Sequence, residues 1–371
     1  MGAYIIKRLL LMIPTLFGIM IMTFAIVQFV PGGPIERIIA QIQGTAVDAT
    51  ARIGGGQGGD TGVRSAEPGS FGDAGMAVKY RGAQGLDPEF IKKLEVQFGF
   101  DKPPTERFFL MMKNYLTFNF GDSYFRDRPV VDLMLEKMPV SISLGIWLLL
   151  ITNFVSIPLG IRKAVKDGSH FDIWTSAVII VGYAIPGFIL AIFLIVVFAG
   201  GSYFSWFPLR GLTSDNFSDL SLFGKIADYA WHLVLPLIAM GIGGFATTTL
   251  LTKNSFLDEI RKQYVVTARA KGLTERRVLY GHVFRNAMLL VIAGFPGAFL
   301  GAFFTGSLLI EQIFSLDGIG LLTYTAALNR DYPVFFANVY IVAVVGLIIA
   351  LISDLTYTFV DPRIDFESRS L

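Results

Sequence analysis

Cysteine is absent from this sequence of 371 residues, which excludes disulfides, iron–sulfur clusters and thiol chemistry. The three histidines, His170, His232 and His282, lie in separate segments, so a histidine-based metal site is not expected. No cofactor bound by this chain is expected either. The formal net charge is only +2, and so small an imbalance indicates no nucleic-acid partner. The sequence also lacks a Walker A motif and the HExxH and GxSxG motifs. The chain itself is therefore not expected to bind ATP through a P-loop or to act as a hydrolytic enzyme.

Apolar residues, in contrast, are abundant. They make up 53% of the chain, and the mean hydropathy is +0.58, whereas soluble domains contain about 45–50% apolar residues. About 20 helical residues cross a bilayer core of about 30 Å. Six runs are long enough: Leu9–Phe29, Ser141–Ile161, Trp174–Ala199, Leu233–Leu251, Ala287–Ile310 and Phe335–Phe359. The sequence therefore predicts an all-α polytopic membrane protein with six transmembrane helices.

Lysine and arginine in the short loops predict the orientation of these spans. One set of loops and ends is basic, and the opposite set has few charges. The basic set holds Lys7, Arg8, Arg162, Lys163, Lys166, the segment 253–285, Arg363 and Arg369, and the opposite short loops hold Arg210, Lys225 and Arg330. Both termini and the segment 253–286 are therefore expected in the cytoplasm. The long segment between the first two spans is expected outside, because long loops translocate largely regardless of charge.

This topology predicts three regions. Residues 1–30 form the cytoplasmic N-terminus and the first span, which is too long for a signal-peptide core and has no cleavage site after it. Residues 31–140 lie outside the membrane, and residues 141–371 form a five-helix core with a cytoplasmic loop at 253–286. Within the outer region, the glycine-rich stretch 43–85 is expected to be a flexible insertion rather than a phosphate-binding loop, since no GK[ST] follows it.

Residues 86–137 are expected to form a small helical cap just outside the membrane. Asp87 stands at an N-cap position before Pro88, and Leu86 and Ile91 have the spacing of a hydrophobic staple. Two stripes are predicted to face inward, Phe90, Ile91, Leu94 and Phe98 in a first helix and Phe108, Phe109, Met112 and Leu116 in a second. The cap serves either to brace the bundle or to seat a substrate-delivering protein.

A few residues within or near the spans are candidates for special roles. Small residues in the fourth and fifth spans, such as Gly241 and the GxxxG pair Gly297 and Gly301, indicate close helix packing rather than a pore. Pro186 interrupts the third span and is either a gate hinge or a static kink. Asp354 in the sixth span is either a gating group or a structural partner for an arginine. Glu311 is expected to be solvated at the outer mouth of the fifth span.

The segment 253–288 is a polar, mostly basic stretch between two apolar spans. Its pattern predicts two helices around a sharp break, with Ser255 and Asp258 as a capping box that begins the first helix. The apolar stripe of this arm is Phe256, Leu257, Ile260, Tyr264 and Ala268, and that of the second arm is Leu279, Val283 and Ala287. Gly272 is the expected C-terminal stop and Thr274 the next N-cap. The alternative is a basic loop whose only role is to fix the orientation of the neighbouring spans.

Particular residues in this segment resemble the EAA loop of ABC importer permeases. They are Val266-Thr267-Ala268, then Gly272 after three more residues, and then His282, Arg285 and Asn286. Val266 departs from the glutamate of the family pattern. The versions ARAKGL and HVFRNA are similar to the peptide and oligopeptide branch, as are FVPGGP, GYAIPGF, FPLRG, WHLVLP, GSLLIEQIFSLDGIG, RDYP and DPRI in the same order. Within that branch, the pattern is most similar to permeases implicated in uptake of peptides and microcin C.

The resemblance implies a type I ABC importer permease fold in a bacterial inner membrane. The implied partners are a second, homologous permease, a cytoplasmic ABC ATPase that carries ATP and Mg²⁺, and a periplasmic peptide-binding protein. The implied ATPase-coupling loop contains Val266, Thr267, Ala268, Arg269, Ala270, Lys271, Gly272, His282, Arg285 and Asn286.

Two other classes compete with an ATP-driven importer subunit. A proton-coupled secondary peptide transporter needs buried acids near the midplane and an internal repeat, and the sequence offers one marginal acid and no evident repeat. A non-transporting membrane scaffold leaves the residues of the segment 253–288 unexplained.

Overall fold

A computed structural model describes residues 2–30, 32–42, 80, 86–201, 203–304 and 308–360. The predicted flexible insertion at 43–85 therefore lies outside the described residues apart from Tyr80, as does the segment 361–371. The α-helices are α1 (Gly2–Phe29), α2 (Pro34–Ile42), α3 (Pro88–Gln97), α4 (Pro104–Leu116), α5 (Val130–Val165), α6 (His170–Ala184), α7 (Gly187–Phe198), α8 (Leu222–Ile260), α9 (Gln263–Ala270), α10 (Glu275–Val278), α11 (Phe284–Ala287), α12 (Leu289–Phe304), α13 (Leu308–Ile313), α14 (Ile319–Asn329) and α15 (Tyr332–Val360). The predicted mainly helical character is confirmed for this part of the chain.

Four helices are long and apolar enough to cross a membrane. They contain Tyr4–Phe29, Val130–Val165, Leu222–Ile260 and Tyr332–Thr356. Two bent pairs qualify if each counts as one span, namely α6 with α7 and the segment Glu275–Ala287 with Leu289–Phe299. The described residues thus contain four such helices and up to six spans, and the third predicted span is broken rather than continuous.

The chain divides into two compact units. The larger contains Met1–Leu10, Lys137–Leu321 and Val345–Leu371, and the smaller contains Leu11–Glu136 and Leu322–Val344. Each unit has buried apolar clusters of its own.

Close helix packing in the larger unit depends on glycines that the sequence interpretation did not single out. A Cβ built at Gly187 would lie 2.8 Å from the carbonyl oxygen of Ala239, and one at Gly160 would lie 2.7 Å from Thr252 Cβ. Any side chain at these positions would push α7 or α5 away from α8. Gly241 also makes a close contact, whereas Gly297 meets no described atom within 4 Å of such a Cβ.

Glu311 corrects the expectation that it is solvated, since only 1% of its surface is exposed. The backbone N–H of Leu321 donates to Glu311 Oε2 over 2.7 Å, so the carboxylate lies at the N-terminus of α14. A helix N-terminus is a favourable place for a buried anion, because its N–H groups have no intrahelical partner. The glutamate therefore fixes the turn before α14.

In the smaller unit, α3 packs against a short helix that the sequence interpretation missed. Asp87 caps α3 as predicted, since its side chain accepts from the N–H of Glu89 over 2.9 Å. The shared core contains Ile35 and Ile39 of α2, Tyr80, and Ile91, Leu94 and Phe98 of α3. Phe90 is exposed, so its predicted inward position is wrong, because Ile91, Leu94 and Phe98 already fill the face that α2 covers.

The second core of the smaller unit surrounds α4. Phe108 and Tyr115, seven residues apart, are buried there together with Met20 of α1. Phe109 and Leu116 are 64% and 73% exposed. Their predicted inward position is wrong because α4 is turned by about one residue from the expected face, and Phe108, Met112 and Tyr115 form the packed side.

Candidate functional site

The candidate site is the elbow, defined here as residues 253–288. Its first arm starts as a continuation of α8, which runs unbroken to Ile260. The predicted capping box at Ser255 and Asp258 is therefore wrong: no glycine or proline interrupts the chain there, and fully buried Phe256 holds this turn in the helix. The break comes at Arg261 and Lys262, and α9 begins at Gln263.

One face of the elbow is locked into the core of the larger unit. Phe256 and Val265 are both 0% exposed, and Ala268 is 6% exposed. They share a cluster with Ile161 and Ala164 of α5. The predicted stripe of Phe256, Leu257, Ile260, Tyr264 and Ala268 lies in or against this cluster, although it is divided between α8 and α9. Ala268 therefore packs inward against its own chain.

A Schellman motif forms the corner of the elbow. The N–H of Gly272 donates to the carbonyl of Arg269 over 2.9 Å, and that of Leu273 donates to the carbonyl of Ala268 over 3.4 Å. This pattern requires a left-handed residue after the helix, and Gly272 has φ +77°. The predicted stop at Gly272 is confirmed, so the chain reverses sharply at a position that suits glycine.

The opposite face of α9 and the corner point outward. Val266 is 52% exposed, and Thr267, Ala270, Lys271 and Gly272 are exposed as well. Among these five residues only Lys271 is charged.

Arg269 and Glu275 connect the two arms across this corner. Arg269 Nε donates to Glu275 Oε1 over 2.9 Å, and its Nη2 donates to Oε2 over 3.1 Å. Such a bidentate pair fixes the geometry of its partners, although both side chains are well exposed. The pair links α9 to the start of α10.

The second arm begins where Thr274 occupies the N-cap position, without a capping hydrogen bond from its side chain. Of its predicted stripe, Val283 and Ala287 are buried and Leu279 is half-buried. Five residues, Leu279–Val283, form a π-helical turn, an irregularity that is common at functional sites and that the sequence interpretation missed.

The three remaining motif residues, His282, Arg285 and Asn286, are exposed on this second arm. Asn286 reaches Tyr264 of the first arm, whose hydroxyl also donates to Glu259 over 2.8 Å. The pKa of Tyr264 is raised above its ordinary value, mainly by burial. The hydrogen bond to Asn286 lowers this pKa, and the bond to Glu259 raises it. Polar contacts thus bind both arms together.

A buried ionic cluster lies beside the elbow, where α5, α6 and α8 meet. Lys163 is 0% exposed, and its Nζ lies 3.0 Å from Asp172 Oδ1. The same Nζ donates to Thr175 Oγ1 and Ser176 Oγ over 2.7 Å each, and Lys253 Nζ donates to Asp172 Oδ2 over 2.7 Å. The sequence interpretation counted Lys163 only as a loop charge. A signal was available in Ser169 and Asp172, which stand at capping-box spacing.

Pro186 lies at the break between α6 and α7, where the chain bends by 95°. Ile185 and Pro186 adopt extended rather than helical backbone angles. The change of direction is thus a complete break between two helices, and contact of Gly187 with α8 holds the second of them in place.

Asp354 is paired with residues of α1. The hydroxyl of Tyr4 donates to Asp354 Oδ2 over 2.7 Å, and the guanidinium of Arg8 forms an ion pair with the same oxygen. The structural partner that the sequence allowed for this acid is therefore Arg8. No three His, Asp or Glu side chains are grouped as a metal ion would need among the residues that the structure describes.

A cleft of about 910 Å³ opens between helices of the larger unit. Its polar groups include Thr152, Asn153, Thr247 and Thr248, and its remaining lining residues are apolar or glycine. None of the lining residues is ionisable. The cleft therefore offers neutral hydrogen-bonding groups on an apolar surface.

The apolar spans indicate an integral membrane protein, and the elbow is a structured segment between two of these spans. The family described as "Binding-protein-dependent transport system inner membrane component" matches residues 156–366, and the chain belongs to this family. It is similar to the "Peptidoglycan transport system permease protein YejB" of Agrobacterium fabrum, at 63% identity over 100% of both chains. It is also 57% identical to the "Inner membrane ABC transporter permease protein YejB" of Escherichia coli O157:H7, over 100% of both chains. The "Oligopeptide transport system permease protein AppB" of Bacillus subtilis is 31% identical over 99% of this chain and 100% of its own.

Proposed function

We propose that this chain is the permease subunit of an ATP-driven peptide importer of a bacterial inner membrane, and that its elbow couples transport to ATP hydrolysis. One observation carries the proposal: one face of α9 is locked into the core while the opposite face, at a corner held by Gly272, is exposed. Such an element can receive a force on its outer face and transmit it to α5 and α8 without unfolding.

The coupling surface is formed by the outward residues of α9 and the corner. Val266, Thr267, Ala270, Lys271 and Gly272 offer a small, weakly charged surface that suits a close-fitting cleft on an ATPase subunit. ATP and Mg²⁺ are bound by that partner. Ala268 contributes by seating α9 in the core.

The distribution of lysine and arginine supports an orientation with both termini and the elbow in the cytoplasm. The segment 31–140 then faces the periplasm, where α2 and α3 are the candidate seat for a peptide-binding protein. A second, homologous permease completes the pathway as a heterodimer. The Arg8–Asp354 pair then lies near the cytoplasmic end of α1.

Peptides are the proposed cargo, with microcin C-like peptides among them. The names of the similar proteins refer to peptidoglycan, oligopeptide and inner-membrane ABC transport, and peptidoglycan itself contains peptides. The cleft that includes Thr152, Asn153 and Thr248 is a suitable half of the pathway, because neutral groups can bond a peptide backbone without selecting for side-chain charge. Pro186 is the proposed hinge beside it.

The test is an arginine at the exposed corner. Ala270→Arg should leave the core intact, since Ala270 is exposed, but should block the fit to the ATPase. We expect normal amounts of the permease, poor retention of the ATPase during purification and a loss of most peptide uptake by vesicles. The matched control is Ala227→Arg, at an alanine that is also exposed but lies in the N-terminal part of α8, far from the elbow in the sequence. Normal ATPase retention and uptake with Ala270→Arg would refute the proposed coupling surface.

A further inference from the structure

Helix α4 exposes large apolar side chains although it lies in the segment expected outside the membrane. Phe109 and Leu116, seven residues apart on one side of α4, are 64% and 73% exposed, and Phe118 just after it is 59% exposed. Water contact with three large apolar groups is unfavourable. An exposed apolar cluster of this kind marks a surface with a partner.

The contacts of α4 with α1 fix its depth. The ring of Phe108 lies 5.6 Å from that of Phe17 and 5.4 Å from that of Phe24. At 1.5 Å per residue, Phe17 lies about 18 Å and Phe24 about 8 Å before the end of α1 at Phe29. If the end of α1 marks the edge of the hydrocarbon core, which is about 30 Å thick, Phe108 lies about 8–18 Å inside it.

Helix α15 gives the same result independently. Tyr115 contacts Tyr340 at 5.3 Å between ring centroids, and Phe118 contacts it at 6.4 Å. Tyr340 lies eight residues, or about 12 Å, inside the start of α15 at Tyr332. Two spans thus place the packed side of α4 well inside one leaflet, next to the C-terminal half of α1.

Apolar side chains on the C-terminal half of α1 are exposed as well. Met22 and Ile26 are 67% and 58% exposed, as expected for a span with only 6% of its apolar window buried. The exposed residues of α4 and these residues of α1 therefore lie at similar depths along α1. Lys113, also exposed, lies between the apolar positions and can extend its ammonium toward the headgroups.

We propose that α4 is an interfacial helix embedded in the leaflet at the C-terminal end of α1, with Phe109, Leu116 and Phe118 in contact with lipid acyl chains. Interfacial helices that expose aromatic and leucine residues bind at the boundary between headgroups and acyl chains, and Lys113, on the same stripe as Phe109 and Leu116, reaches from there to the headgroups. The proposed orientation makes this the outer leaflet. The helix then anchors the outer segment in the bilayer, and the surface available to a soluble partner is reduced to the side of α2 and α3.

The absence of cysteine permits a direct measurement of depth. Single variants Phe109→Cys, Leu116→Cys and Phe118→Cys, each carrying a nitroxide, are purified in the full complex, with any partner cysteines replaced, and placed in phosphatidylcholine–phosphatidylglycerol vesicles. Collision rates with oxygen, which concentrates in lipid, and with a water-soluble nickel chelate are then compared. Met22→Cys is the lipid-facing control and Lys93→Cys, exposed on α3, the aqueous control.

Labels at Phe109, Leu116 and Phe118 should behave like that at Met22, with at least about a tenfold greater preference for oxygen over the chelate than the label at Lys93. A chelate collision rate equal to that at Lys93 would show that α4 lies in water and would overturn the proposal. Low collision rates with both reagents would show that another protein covers α4, which would overturn it equally. Neither result depends on ATP hydrolysis or uptake, so the outcome is separate from that of the coupling proposal.

Discussion

Replacing Gly272 tests how far coupling depends on the backbone conformation at the corner of the elbow. The residue has φ +77°, and a Cβ built there meets no described atom within 4 Å. The cost of Gly272→Val is therefore conformational rather than steric, and a β-branched residue in the left-handed region costs roughly 1–2 kcal/mol or more. That cost lowers the population of the native corner by a factor of about 5–30, because the chain escapes the strain by giving up the two Schellman hydrogen bonds.

Gly272→Asn is the matched control, since asparagine tolerates the left-handed region and adds a side chain of similar size. Each variant is purified with its partners, and the retained ATPase and the uptake of peptide by vesicles are measured. We expect the asparagine variant to remain close to wild type and the valine variant to lose most of its uptake while inserting into the membrane normally. Equal uptake by the two variants would show that the left-handed corner is not required for coupling.

Three further predictions concern stability and topology. Asp172→Ala should destabilise the larger unit by about 3 kcal/mol, the lower end for breaking a buried ion pair, because it leaves the fully buried Lys163 without its counter-ion. Adding Lys163→Met should recover part of the melting temperature in detergent. A double variant less stable than Asp172→Ala would contradict the pairing. Ile91→Asp should reduce the amount of assembled protein, since a buried isoleucine contributes about 1.5–3 kcal/mol, whereas Phe90→Asp at the exposed neighbour should not; equal losses would contradict the observed face of α3. A phosphatase reporter fused near Gly211 should be active, because the distribution of lysine and arginine predicts that this loop lies outside, and an inactive fusion would refute that orientation.

The sequence predicted best those features that local chemistry determines. The stop at Gly272 and the cap at Asp87 are confirmed because each depends on a few adjacent residues. The apolar runs predicted the long helices, since length and hydropathy suffice for that. The break at Pro186 was located correctly, but its size was not, because a 95° change of direction depends on how α7 packs against α8.

Features that depend on distant partners were missed or wrong. Periodicity predicted that Phe109 faces inward. In a short helix with apolar residues on several sides, however, the helices packed against it determine which side is buried. Glu311 was predicted to be solvated, but it is buried because the N-terminus of α14, ten residues away in the sequence, donates a hydrogen bond to it. Helix α2 was missed because its only clear signals, Pro34 and a few apolar residues, stand beside a glycine-rich stretch.

Lys163 has two roles that are separated in time. In the proposed orientation, Lys163 is one of the basic residues that are expected to keep the adjoining loop in the cytoplasm while the chain is inserted. Once α6 and α8 have packed, the same charge is enclosed and neutralised by Asp172. Two substitutions at this position would therefore separate membrane insertion from packing. Arginine keeps the positive charge that orients the loop but does not fit the buried site. Methionine fits the buried site but removes this positive charge.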